Sequence, residues 1–71
     1  MEIRPVDIIE VSKGYYELWT EVVYSTLFGT KYKLTADIFT KKQIMNSIMN
    51  NTKHLKVKSF LIRKLKEGVI S

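Results

Sequence analysis

The sequence predicts an α+β fold, a three-stranded antiparallel meander followed by two short helices (β-β-β-α-α), and three observations carry that expectation. Tyr32, Leu34, Ala36 and Ile38 alternate with Lys31, Lys33, Thr35 and Asp37, the period of two that marks a strand with one buried face. Thr40 stands three residues before Gln43, the pattern of a helix-starting capping box. Beyond it, apolar residues recur at helical spacing in two short stretches.

The elements follow in order. Val6-Asp7-Ile8-Ile9-Glu10-Val11 is rich in strand formers and ends at Ser12-Lys13-Gly14, where glycine permits a tight reversal. Residues Tyr15 to Thr26 place Tyr15, Leu18, Trp19, Val22, Val23 and, just beyond, Leu27 at helical spacing, so periodicity alone leaves the segment ambiguous. Composition arbitrates: eight of the twelve residues are Tyr, Trp, Thr or Val, which lose side-chain freedom in a helix and pack well on a pleated sheet. A strand is expected there, with Tyr16, Leu18, Val22 and Tyr24 inward. Phe28-Gly29-Thr30 marks the next reversal, and the alternating strand follows with its apolar side toward the core.

From Thr40, Ile44, Met45, Ile48 and Met49 form one stripe of a first helix. Asn50-Asn51-Thr52-Lys53-His54 interrupts it. A second helix, starting near Val57, buries Val57, Phe60, Leu61 and Leu65 and ends at Gly68, with Val69 folding back over its end. No linker, repeat or low-complexity tract divides the chain, so residues 1–71 form a single domain, with the sheet in 1–39 and a basic helical part in 40–71.

Seventy-one residues, 45% of them apolar and eight aromatic, suffice for one core, because a domain this small buries only about 60% of its unfolded surface. Pairing with itself, as a homodimer, or with a partner would add burial. Without cysteine, no disulfide or thiolate chemistry is available. The opening Met1-Glu2-Ile3-Arg4-Pro5 lacks the basic and apolar regions of a secretory signal, and no apolar run nears the roughly 20 residues of a membrane span. A soluble, cytoplasmic protein is expected. Ten lysines against two arginines, with eight isoleucines, reflect A+T-rich coding and suit a viral (phage) or mobile-element origin.

Charge is unevenly distributed. Residues 40–71 hold eight basic residues against Glu67, a net +7, whereas residues 1–39 hold four against six acids, a net −2. Such polarisation is the electrostatic footprint of a nucleic-acid binder, since lysine and arginine laid against phosphates release counterions. The expected contacts are Lys42, Lys53, Lys56, Lys58, Arg63 and Lys66 to phosphate, with Asn46 and Asn50 as base readers through the adenine edge. Two short helices joined by a basic turn suit DNA recognition in the helix-turn-helix manner, in a regulatory protein. Lysine-rich helical faces are often no more than solvated surface. Ordinary exposed helices, however, mix both signs for i,i+4 support, and this one all but lacks acids. A protein-binding module or inhibitor is the alternative, meeting an acidic partner through the helices or an apolar one through Tyr15, Trp19 and Val23. A third reading lays the basic helices on an anionic membrane surface.

Ile62-Arg63-Lys64-Leu65-Lys66-Glu67-Gly68-Val69-Ile70 resembles the end of a recognition helix running into a first wing strand in winged-helix domains. The resemblance implies a mostly helical alternative fold, which requires residues 15–28 to be helical. His54, the single histidine, has no carboxylate or cysteine near it in sequence and reads as a turn residue. Glu17 and Glu21 flank Trp19 on one strand face, as exposed acids of a sheet commonly do. No glycine-rich phosphate loop, GxSxG or HExxH is present. A non-enzymatic protein without metal or cofactor is expected.

Overall fold

Three strands, β1 (Glu2–Ser12), β2 (Tyr15–Thr26) and β3 (Gly29–Thr40), form one antiparallel sheet in the order β1-β2-β3. Two helices, α1 (Lys41–Asn50) and α2 (Leu55–Lys66), pack on one of its faces, α1 against β3 and α2 against β1. The computed structural model describes residues 1–50 and 53–71, so the part of the inter-helix break at Asn51 and Thr52 lies outside the described residues. The expected β-β-β-α-α order is the observed one. In Tyr15–Thr26 the strand preference of the aromatic and β-branched residues prevails over helical spacing, and the winged-helix alternative fails with it. Residues 67–71 form a turn and an unpaired end, with no wing strand.

β1 starts earlier than expected and includes Pro5. As the sheet's edge, β1 tolerates the missing amide, and its register shifts immediately afterwards, between Pro5 and Asp7. Gly14, at φ 80°, makes the first turn. In the second, the Thr26 hydroxyl donates to the Gly29 carbonyl (2.9 Å) and accepts from the Phe28 amide (3.1 Å). Leu27 and Phe28 project from it almost fully exposed.

The core comprises Ile8, Tyr16 and Leu18 from the sheet, Ile44, Val57, Phe60 and Leu61 from the helices, and Ile70. The capping box forms in both directions: the Gln43 amide donates to the Thr40 hydroxyl (3.2 Å), and the Thr40 amide to the Gln43 carboxamide (2.8 Å). At the far end of α2, Gly68 at φ 81° lets its own amide reach the Leu65 carbonyl and that of Val69 reach Lys64, the two bonds of a Schellman ending. Ile70, rather than Val69, then returns to the core. The Tyr16 hydroxyl secures that return, donating to the Ser71 carbonyl (3.4 Å) and accepting from its amide (3.2 Å). α2 begins one turn's fraction early, at Leu55, and Met49 of α1 lies outside the buried stripe, 75% exposed.

Strand register corrects the largest expectation. Cross-strand partners share a face, so Lys33, Thr35, Asp37 and Phe39 lie with Val22, Thr20, Leu18 and Tyr16 on the helix side. Tyr32, Leu34, Ala36 and Ile38 lie with Val23, Glu21, Trp19 and Glu17 on the opposite, open face. The cleanest apolar stripe therefore points away from the helices, leaving Tyr32 62%, Leu34 57% and Ile38 52% exposed. Alternation states which residues share a face; Tyr16, Leu18 and Phe39, packing with the helices, decide which face is covered. Tyr24, expected inward, lies beyond the helices on the covered side and is exposed, and Val22 is half-buried.

Candidate nucleic-acid interface

A helix repeats every 3.6 residues, so Lys42, Asn46 and Asn50, spaced by four, rise along one side of α1. All three are exposed, opposite buried Ile44. On α2, burial of Val57, Phe60 and Leu61 turns Lys56, Arg63 and Lys66 toward solvent. Both helices press their apolar sides onto the same sheet face. Their outward rows consequently form the surface of the helical layer, cations along α2 and one lysine with two asparagines along α1. Lys53 is exposed ahead of α2, whereas Lys58 sits on the flank of the helix and is half-buried.

Lys56, Arg63 and Lys64 meet carboxylates within the chain. Lys56 forms an ion pair and hydrogen bond with Glu2 at the start of β1. This contact, and then the Arg4 guanidinium at 3.1 Å, hold the Glu2 carboxyl below its ordinary range. Arg63 lies 4.0 Å from Glu67 and 5.5 Å from the centre of the Phe60 ring, and Lys64 reaches Glu67 at 3.5 Å. Solvent screens the surface-exposed pairs of Lys56 and Arg63, so a phosphate can displace the carboxylate from either of these two cations.

The sheet adds two cations that the reading of the helices alone misses. Lys31 and Lys33 alternate onto the helix side of β3 and are exposed. The eight basic residues of the helical part and these two thus share one side of the molecule with Glu10, Asp37 and Glu67, a net +7. By strand register the open face holds Arg4 against Glu2, Asp7, Glu17 and Glu21, a net −3, although the Glu2 carboxylate itself reaches Lys56 of α2 from the edge strand, and Lys13 in the first turn completes the +5. What looked like an asymmetry along the chain is an asymmetry across the sheet. The signal for Lys31 and Lys33 was their alternation with the apolar residues, once the covered face is known.

Neither helix has an acid in its first turn, and α1 opens with Lys41-Lys42. Cations there oppose the helix macrodipole, where a carboxylate is favoured by about 0.3–1 kcal/mol. Local stability does not account for lysine at these positions. At the other end of α2, Arg63, Lys64 and Lys66 in the last turn are favoured by the same dipole.

Tyr15, Trp19 and Val23, the residues of the alternative protein interface, do share the open face. The Trp19 indole donates to the Glu17 carboxylate (2.6 Å), and a shallow depression of about 310 Å³ around it is lined by Val6, Asp7, Ile9, Glu17, Trp19 and Leu34. Glu17 and Glu21 are engaged separately, Glu17 with Trp19 and Glu21 4.0 Å from Arg4. His54 precedes α2, exposed and without a side-chain capping bond. Among the described residues no three His, Cys, Asp or Glu side chains group to hold a metal ion, and no helix is long and apolar enough to cross a membrane. No family model matches the chain, and no curated protein or solved structure matches it.

Proposed function

We propose that the protein is a small, non-enzymatic nucleic-acid-binding protein, a DNA binder, whose contact surface is the outward side of the helical layer extended by Lys31 and Lys33. The observation that carries this reading is the net +7 gathered on the helix side, including lysines at a helix N-terminus that local stability disfavours. Lys56, Arg63 and Lys66 contact phosphates, with Lys42 and Lys53 beside them and Lys58 at the flank. Asn46 and Asn50 face the groove, where a carboxamide can both donate to and accept from one adenine. The cations hold the duplex in register, and the asparagines supply base preference.

Fluorescence anisotropy of labelled duplex and single-stranded oligonucleotides, repeated at rising salt, tests the proposal. Binding should be micromolar or tighter in low salt and should weaken steeply as salt rises. Each cation lost from the interface should lower the slope of log affinity against log salt by about 0.9 on duplex DNA. The triple variant Lys56→Gln, Arg63→Gln, Lys66→Gln is therefore expected to bind weakly, with a slope reduced by about 2 to 3. Affinity no tighter than millimolar, or indifferent to salt, excludes the reading.

A further inference from the structure

The helices leave a cavity of about 310 Å³ between themselves and the sheet, at the small end of the range for ligand sites. Leu18 and Phe39 wall it from the sheet and Ile44, Val57 and Leu61 from the helices, while Asp37, Gln43 and His54 bring polar groups to it. A second depression adjoins it, sharing Ile3 and His54, and is lined also by Lys53, Lys56 and Glu2. We propose that the two together bind one unpaired nucleotide, its base in the apolar cavity with an exocyclic amino group on Asp37, and its phosphate on Lys53 and Lys56 in place of Glu2.

Asp37 selects the base edge. On a side of the molecule with a net +7, its carboxylate meets no cation and accepts no side-chain hydrogen bond among the described residues. The Gln43 carboxamide oxygen is taken by the Thr40 amide, so this side chain offers the cavity its N–H groups. An acceptor from β3 and a donor from α1, which packs on β3, match the amino group and ring nitrogen of cytosine or adenine. Phe39 supplies a ring against which a base can lie. An aliphatic tail would instead strip water from the carboxylate and give it no hydrogen bond in return.

Register fixes the length of the site. Ile3 pairs with Val22 and Asp37 with Leu18, so the two ends lie two strands and four residues apart, a diagonal of roughly 17 Å between backbones. With lysine side chains reaching in from one end and Asp37 from the other, that span suits a base and a phosphate joined through a sugar, not a lone ring or a lone anion. The site rests on the nucleic-acid reading through Lys53 and Lys56. Lys42, Asn46, Asn50, Arg63 and Lys66 do not line it, so the nucleotide site and the duplex surface can fail separately.

Amide nuclear magnetic resonance of the full chain, titrated with dCMP, dUMP and phenyl phosphate, is the test. With dCMP the amides of Leu18, Thr20 and Ser47 should shift, saturating below millimolar concentration, while Trp19 on the open face stays unmoved. Binding of dUMP, which has a carbonyl oxygen in place of the amino group, should be about 10-fold weaker, as should binding of dCMP to Asp37→Asn. Removing a negative charge strengthens a site that merely collects anions, so phenyl phosphate should bind Asp37→Asn no worse than the unaltered chain. The double variant Lys53→Gln, Lys56→Gln should bind dCMP no better than it binds deoxycytidine. A short single strand of deoxycytidylate that shifts the same amides at lower concentration than dCMP assigns the nucleotide to a strand, and equal binding assigns it to the free molecule. Unmoved cavity amides, dUMP binding equal to dCMP, or tighter dCMP binding by Asp37→Asn overturns the proposal, whatever the affinity for duplex DNA.

Discussion

Glu2 shows how one side chain joins two elements. Its carboxylate, at the start of β1, meets Lys56 in the first turn of α2 and Arg4 two residues along its own strand. Both favour the charged form, Lys56 more strongly, so the folded chain holds this proton less tightly than the unfolded one does. The stability this linkage supplies is complete above the ordinary value of 4.5 and is lost as pH falls below it. In urea titrations at a series of pH values, Glu2→Gln should remove that part of the acid dependence, and high salt should mimic the substitution. An unchanged profile would show that the pair adds nothing to folding. The Lys56 contact was not legible in the sequence, because it joins residues 54 positions apart.

At the scale of the element, Thr40 ends β3 and starts α1 with no loop between them. Its capping box was legible because both partners lie within four residues and their chemistry specifies the geometry. Thr40→Ala should cost about 1 kcal/mol in chemical unfolding. Thr40→Ser should recover most of it; failure to do so would mean that the methyl group, not the hydroxyl, holds the junction. The Schellman ending at Gly68 was equally local and equally legible. The face of β3 was different. Its period of two separated Tyr32, Leu34, Ala36 and Ile38 from Lys33, Thr35 and Asp37 correctly, yet the covered side depends on β2 and the helices. The reading failed at Met49 for a related reason, since a ten-residue helix on a three-stranded sheet buries little more than the single residue Ile44.

For the whole molecule, the sheet acts as a partition. One side carries a net +7 and the helices, and the other carries a net −3 and an apolar row.

The amino-acid sequence by itself determined the order of the elements, the two helix-end motifs and the sign of the charged part. Each of these follows from interactions among residues close together along the chain, or from composition. The tertiary structure decided which sheet face the helices cover, that Lys31 and Lys33 join the basic side, and that the apolar row of β3 is left open. Those outcomes follow from strand register and from the packing of Tyr16, Leu18 and Phe39 beneath the helices, a competition between two apolar sheet faces for one helical layer.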